Sequence, residues 1–503
     1  MSGGSGNPGS GSGSASNASG STARRTGVGL RSERGPILGA LMLSTGLVAI
    51  DATILATAVP SIVDDLGGFA SFPWLFSIYL LSQAVSVPIY AKLSDSLGRK
   101  PIILIGIGLF LAGSVLCGLA WSMPALIAFR ALQGFGAGAV QPMSITIAGD
   151  IYSVVERAKV QGYIASVWAI SSVIGPTLGG VFSEFLSWRF IFFVNVPLCL
   201  LAGWMLLRRF HEKVERRRHT IDYAGAALLA VGMSALILGL LEGGQAWEWA
   251  SLPGIGVFVV AGLALLAFVL VERRAAEPIL PLWVFSRRLL LTTTLLSLGI
   301  GAMVTGLTSY VPTYLEGSLG ITPLLSGLAL AALTLGWPVS ASQSGRIYTR
   351  IGFRGTVLIG IGLAVAGTVA LAATSVTPSV ITVAICCFVI GAGFGFVASP
   401  GIIAAQSSVP WNERGVVTGA NLFARSIGSA VGVAVFGAIA NGILAASTGD
   451  PAGGVPDLDL LSPEAIIAAA GAVFVAVAVC AVLSIAAAVL MPTARVEDLE
   501  FGD

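Results

Sequence analysis

Long apolar runs alternate with short polar breaks along almost the whole chain. Each run holds about 20 residues, enough for a helix rising about 1.5 Å per residue to cross a hydrocarbon layer of about 30 Å. The pattern predicts spans at 37–63, 72–91, 101–121, 125–149, 160–184, 190–207, 221–241 and 253–271, then at 289–315, 323–343, 355–374, 379–403, 415–441 and 466–491. That makes fourteen helices, and an even number puts both chain ends on one side. Residues 1–35 are Gly-, Ser- and Asn-rich and end in Arg24, Arg25, Arg31 and Arg34. They lack the charged, apolar and cleavage regions of a signal peptide in that order and read as a disordered tail.

Composition points the same way. Charged residues are 10% of the 503, against about 25% in soluble domains. So few charges cannot clothe a water-soluble surface of this size, which excludes a soluble enzyme, a nucleic-acid binder and a disordered scaffold. The 64 glycines suit close helix packing in a membrane. Cys117, Cys199, Cys386, Cys387 and Cys480 sit inside apolar runs with no CxxC. They read as small core residues, with no disulfide framework and no metal site. His211 and His219 fall in a basic stretch at 208–220 and read as solvated; Asp450, Asp457 and Asp459 belong to a Gly/Pro/Asp loop at 447–463.

The basic residues set the orientation. With the N-terminus cytoplasmic, 24 of the 27 Lys and Arg lie on the cytoplasmic side, Arg130 and Arg425 lie within helices, and Arg189 alone lies outside. Both termini are therefore expected inside, in the plasma membrane. The chain also repeats. The stretch 91–100 and the stretch 345–354 are both short basic turns, with Gly98 and Gly352 in matching places, offset by 254. Gly162 and Gly175 match Gly419 and Gly432 at an offset of 257. The expected organisation is a tail (1–35), a six-helix bundle (36–208), a basic linker (209–220), a two-helix insertion (221–272), a second linker (273–288), a second six-helix bundle (289–491) and a cytoplasmic tail (492–503). Duplicated bundles are typical of secondary transporters, with the site between the halves near the midplane.

Three charges fall inside spans. Asp51 lies about 21 Å along the axis from residue 37. A carboxylate there costs roughly 3 kcal/mol on insertion scales and is normally kept for function. Burial favours its neutral form and a nearby cation its anion, so it suits a group that takes up and releases a proton; a structural carboxylate is the alternative. Arg130 differs from Asp51 by about 9 Å in depth, a gap that a long side chain and helix tilt can close; otherwise it snorkels outward. Arg425 lies about 15 Å into its helix with no deep acid in its own half. It must face backbone carbonyls, water, Asp51 or an anionic group of a substrate.

The run Asp51-Ala-Thr53-Ile-Leu with Ala58-Val-Pro60 is similar to D-x-T-[IV]-[VI]-N-x-A-[LV]-P, with Ala56 in place of the Asn. Residues 93–100 look like the loop G-x-L-a-D-r-x-G-r-k, with Ala91 for the leading Gly and Ser96 for the Arg. Arg130-Ala-Leu-Gln133-Gly134-Phe-Gly136 matches R-x-x-q-G-x-g, and Gly175-Pro176-Thr-Leu-Gly179-Gly180 matches G-P-x-x-G-G. Trp188-Arg189 to Asn195-Val-Pro197 looks like W-R-x-x-F-x-x-N-x-P. Together, in this order over 37–491, these resemble the major facilitator superfamily, in its fourteen-helix drug:proton antiporter branch. The resemblance implies an all-α membrane fold of two pseudo-symmetric six-helix bundles. It implies export of amphipathic, cationic drugs by alternating access, with H+ as coupling ion and no cofactor.

On that resemblance Asp51, Arg130 and Arg425 serve proton coupling or substrate, with proton and drug competing at Asp51. Asp95, Gly98, Arg99 and Lys100 form a cytoplasmic gate in which Asp95 meets a helix N-terminus, while Arg99 and Lys100 also serve topology. Thr349 replaces Asp95 in the second copy, so the gate should be asymmetric. Gly175, Pro176, Gly179 and Gly180 let the fifth helix approach a neighbour closely. Tyr79, Gln83, Gln133, Trp168, Tyr310 and Tyr314, with Phe394 and Phe396, lie on helices expected to line a cavity; those that face it can stack on planar or cationic cargo, and more than half of the set are expected to face lipid or core. Expected partners are a drug-like molecule, protons and lipid, with no nucleic acid, for a monomer. The rival within transport is an exporter of an anionic or zwitterionic metabolite or antibiotic centred on Arg130 and Arg425. A membrane enzyme or receptor is the rival outside it; no GxxxxGK[ST], Ser/His/Asp set or soluble output domain supports one.

Overall fold

Hydrocarbon offers no water to backbone N–H and C=O groups, so a crossing segment must satisfy them within itself, and the apolar runs fold as helices. The computed structural model describes residues 28–67, 71–72, 74–212, 222–243, 247–275, 278–448 and 462–493. Arg24 and Arg25 of the tail, Lys213 and Arg216 to His219 of the linker, Asp450, Asp457, Asp459 and Arg495 lie outside the described residues.

The first half holds α1 (Gly35–Leu66), α2 (Trp74–Leu97), α3 (Arg99–Gly118), α4 (Met123–Ile151), α5 (Val154–Phe185), the short α6 (Phe190–Phe193) and α7 (Asn195–Arg209). The insertion is α8 (Tyr223–Glu242) and α9 (Leu252–Glu272). A short α10 (Trp283–Ser286) leads into α11 (Arg288–Leu319), α12 (Pro323–Thr374), α13 (Val380–Ser407), α14 (Arg414–Thr448) and α15 (Pro463–Leu490). Among the described residues, 13 helical segments are long and apolar enough to cross a membrane.

Two expectations are corrected here. The spans expected at 323–343 and 355–374 form one element of 52 residues, interrupted at Gly352, where φ 79 and ψ 169 are non-helical. Gly98 makes the matching break between α2 and α3 with φ 98. Both need a residue without Cβ, so the repeat seen at 91–100 and 345–354 is the repeat of one backbone break. The second correction concerns length: α2 continues past residue 91 to Leu97, and Asp95 sits inside its last turn. The polar residues of this stretch find partners within the protein, as described below, so the helix outlasts the apolar run.

Two apolar cores are built within the first half, around Leu41, Phe110 and Met143 and around Ile54, Leu126 and Phe192. A third, around Met303, Phe353, Phe394 and Phe474, fills the second half. Leu229 and Met233 of α8 and Phe268 of α9 join a fourth core with Leu81 and Val85 of α2 and Val416, Val417 and Ala420 of α14. The inserted pair thus covers the seam where α2 of one half meets α14 of the other. Its far side, with Leu263, Leu266 and Leu270, is exposed and apolar, as a helix facing hydrocarbon must be.

Candidate functional site

Asp51 and Arg130 meet directly. Arg130 Nη1 lies 2.6 Å from Asp51 Oδ2, and both residues are 1% exposed. Gln133 lies one helical turn from Arg130 and so on the same face. Its Nε2 donates to Asp51 Oδ1 at 2.7 Å and to Ser114 Oγ at 2.8 Å. Arg130 Nη1 also donates to Gln133 Oε1 at 2.7 Å, and its Nε donates to the Leu75 carbonyl at 3.1 Å. Asn195 Nδ2 donates to Asp51 Oδ1 at 3.3 Å, and the Tyr79 ring lies 4.2 Å from the guanidinium carbon. The charges cancel inside a network drawn from α1, α2, α3, α4 and α7. Tyr79 and Gln133, expected on a cavity wall, belong to this sealed network instead. Gly134 explains the orientation: a Cβ there would strike the Tyr79 carbonyl, so this face of α4 is pressed against α2.

At the end of the bundle carrying the basic turns, α2 locks onto α14. Asp95 Oδ1 and Oδ2 accept from the backbone N–H groups of Gly415 and Val416 at 2.9 and 2.8 Å. These are orphan donors of a helix N-terminus, where the macrodipole also favours an anion. Gly415 permits the approach: a Cβ on it would lie 2.6 Å from Ser94 Oγ and 2.7 Å from the Ala91 carbonyl. Arg99 is fully buried. It pairs with Asp95 at 2.8 Å and Asp150 at 3.0 Å, donates to the Trp411 carbonyl at 2.6 Å, and lies 3.8 Å from the centre of the Trp411 ring. Arg414 adds a second pair to Asp150 at 3.1 Å. Arg99 is therefore a buried member of the α2–α14 latch, because two buried carboxylates demand its cation. Lys100 Nζ donates to the carbonyls of Leu207 and Phe210 at 3.0 and 2.6 Å. Glu212 caps α3 by accepting from the N–H groups of Arg99 and Lys100, both at 3.0 Å.

The related seam between α5 and α12 has no carboxylate at the matching place. Thr349 Oγ1 donates to Gly345 of its own helix at 2.9 Å. The Tyr348 hydroxyl donates to the Val154 carbonyl, and Arg157 Nη1 donates to Ser407 Oγ at 2.8 Å. The two seams are thus built differently, as Thr349 led one to expect. At the opposite end of the bundle, Arg189 pairs with Asp65 at 2.6 Å, and Trp188 Nε1 donates to the same carboxylate at 3.0 Å.

Between the halves lies a cavity of about 310 Å³, inside the range of roughly 300–1,000 Å³ for small-molecule sites. Trp168, Gln141 and Gln161 line it from the first half, and Trp337, Ser399, Asn421 and Arg425 from the second. Arg425 lies 4.9 Å from the centre of the Trp337 ring. Asp51 and Arg130 do not line it, so the expected competition of proton and cargo at Asp51 does not occur by shared contact in this structure. Trp168 stands where it was expected. Gln83 sits behind the wall, donating to Gln141 Oε1 at 2.8 Å. Tyr314 is buried in the second-half core, with its hydroxyl on the Ser375 carbonyl at 2.8 Å and its ring edge-on to Phe474. Tyr310 packs against that core as well, and Phe394 supports Trp337 edge-on from behind.

The glycine run of α5 faces α1. A Cβ at Gly175 would strike Thr53, and one at Gly179 would strike Thr57 and the Ile54 carbonyl. The Thr53 hydroxyl lies 3.0 Å from the Ser171 carbonyl across the crossing and 3.0 Å from the Ala49 carbonyl of its own helix, with one proton to serve both. Gly180 is different: nothing lies within 4 Å of a Cβ there, and it takes no part in the close approach. Gly179→Val should therefore lower stability by about 1–3 kcal/mol through overpacking against a backbone that cannot move aside. Gly180→Val should be near neutral. Thermal unfolding of the two purified variants in detergent checks this, and equal losses would contradict the packing described.

Residues 41–433 match the model of the Major Facilitator Superfamily. The chain is 34% identical over 423 residues to Multidrug resistance protein 3 of Bacillus subtilis (strain 168), covering 83% of this chain and 82% of that protein. It is 33% identical over 413 residues to Multidrug transporter protein MdtP of the same organism, covering 82% and 76%. Among solved structures, the human organic anion transporter MFSD10 (TETRAN) superposes with a TM-score of 0.61 at 15% identity, covering 89% of this chain and 99% of that one; at that identity it shows the fold alone. The helical architecture, the motifs along α1 to α7 and these matches agree: the chain belongs to the Major Facilitator Superfamily, as a multi-pass membrane transport protein and not an enzyme.

Proposed function

We propose that the chain is a proton-coupled exporter of amphipathic small molecules, working by alternating access in the plasma membrane with its basic end in the cytoplasm. The two arms of α12 then count as separate crossings, making fourteen, and the protein works as a monomer with H+ as its only coupling agent. The observation that carries this reading is the separation of a sealed Asp51–Arg130 pair from a cavity between the halves. The names of the relatives, a multidrug resistance protein and a multidrug transporter, support drug-like cargo.

The separation changes the expected mechanism. Protonating Asp51 removes the counter-charge of Arg130, and the network must rearrange. α1 carries Asp51 and, two residues on, Thr53, against which α5 packs at Gly175. α5 in turn carries Gln161, Ile164 and Trp168 to the cavity wall. Proton and cargo thus exclude one another through the arrangement of helices rather than by competing for one carboxylate. A ligand shifts such an equilibrium only by its differential affinity for the two states.

The test uses proteoliposomes with an imposed pH gradient and a panel of amphipathic dyes of both charges. Wild type should move dye against its own gradient, while Asp51→Asn should exchange dye without proton flux. A variant that pumps like wild type would make Asp51 structural and overturn the coupling role.

A further inference from the structure

We infer that the cavity is built for cargo that carries an anionic group beside a flat ring, with Arg425 as counter-charge and Trp337 as platform; this rests on the export reading and names its cargo class. The two membrane arginines are neutralised differently. Arg130 is neutralised by Asp51 and also donates to Gln133 and the Leu75 carbonyl. Arg425 has no carboxylate or carbonyl partner among the described residues, and the contact it makes is with the face of Trp337. An Arg side chain stays charged in a protein, and a charge in a low-dielectric site needs neutralisation.

The lining does not supply it. Arg425 is the one ionisable side chain among the cavity's lining residues, which include no Asp or Glu. A cationic cargo would meet a like charge and find no counter-charge. Neutral polar groups stand beside Arg425 in the lining. Ser399 is 3% exposed, lines the cavity, and its hydroxyl has no partner among the described residues. Gln141 Oε1 is occupied by Gln83, which leaves its amide N–H groups to the cavity. Beside Arg425, the Gln141 amide can thus add a donor to a carboxylate, sulfonate or phosphate oxygen. Trp168 and Trp337 line the cavity from opposite halves, which suits an aromatic body. A cargo of this kind would also tie the two halves together when bound.

The experiment measures binding, without any gradient, to the full-length protein in lipid nanodiscs. The probes are a xanthene dye with a free carboxylate and its methyl ester, which share ring system and size. Wild type should bind the acid at least about tenfold more tightly than the ester, the effect of one charge-assisted hydrogen bond. Arg425→Gln should bind both alike, at the affinity wild type shows for the ester, which also proves the variant folded. Arg425→Lys should keep part of the preference. Wild type binding the ester as tightly as the acid would overturn the inference without recourse to any variant, as would an acid preference that survives Arg425→Gln. The outcome is separable from the export reading. Acid preference in nanodiscs with no gradient-driven movement in liposomes would sink export alone, and pumping that favours the ester would sink the cargo class alone.

Discussion

Asp51→Asn should reduce concentrative transport to background while leaving downhill exchange. The carboxylate is the only acid in contact with Arg130 among the described residues, and Asn keeps its shape and its acceptor oxygen but cannot bind and release a proton. The variant also leaves a buried guanidinium without its counter-charge. Breaking such a pair costs about 3–5 kcal/mol, and Gln133 and the Leu75 carbonyl hold Arg130 in place, so the lower end is expected. Arg130→Gln should cost a similar amount, by leaving Asp51 unpaired. The double variant should recover part of the sum, with a coupling energy toward the top of the usual range of about 0.5–3 kcal/mol for contacting residues. Thermal unfolding of the four proteins gives that number. Strict additivity would mean that the two charges do not stabilise one another.

Asp95→Ala should open the end of the bundle that is closed here. The carboxylate serves three partners at once: Arg99 and the N–H groups of Gly415 and Val416. Its loss removes the carboxylate bonds between α2 and α14 and leaves Asp150 to neutralise Arg99. If only about 3 kcal/mol of the pair's value bears on the equilibrium between closed and open, the ratio shifts by about a hundredfold, since every 1.4 kcal/mol is tenfold. Spin labels at Leu97 and Asn412, both exposed at this end, report it. Wild type should give one short distance, and Asp95→Ala a longer and broader distribution. Thr349→Ala, at the matching place in the second half, should leave the distance unchanged, because that hydroxyl serves its own helix. An unchanged distribution in Asp95→Ala would show that the inserted α8–α9 pair or the α5–α12 seam holds the end closed without the latch.

Much of this was legible in the sequence, for identifiable reasons. Apolar runs separated by charge fixed the spans because lipid permits few alternatives to a helix. Gly98 and Gly352 announced the backbone breaks because few other residues tolerate positive φ. The Asp51–Arg130 pair was within reach of depth counting, since both charges had to find a partner in a membrane. The cavity wall was not legible. Its polar members Gln141, Gln161, Ser399 and Asn421 carry no charge and no motif, and facing the cavity rather than a neighbouring helix depends on rotation about the helix axis. Tyr314 and Gln133 were misplaced for the same reason: an aromatic or amide in a transport helix is equally at home in the packing between helices. Asp150, Glu212 and Arg414 were missed in the latch, although Asp150 leaves a trace, being an acid in the last turn of an apolar helix. Nothing local says that it faces Arg99, 51 residues back.

The central claim is that one buried carboxylate links proton and cargo, and linkage makes it directly measurable. If proton and cargo exclude one another, cargo affinity must rise as the proton is lost, and by the same factor cargo must lower proton affinity. The measurement is the equilibrium dissociation constant of a cargo with no titrating group of its own in the range, across pH 5 to 9, for wild type and Asp51→Asn in nanodiscs. The account predicts an affinity for wild type that rises with pH by at least about tenfold, and a flat profile for Asp51→Asn. A flat wild-type profile, or a rise that persists in Asp51→Asn, would contradict it.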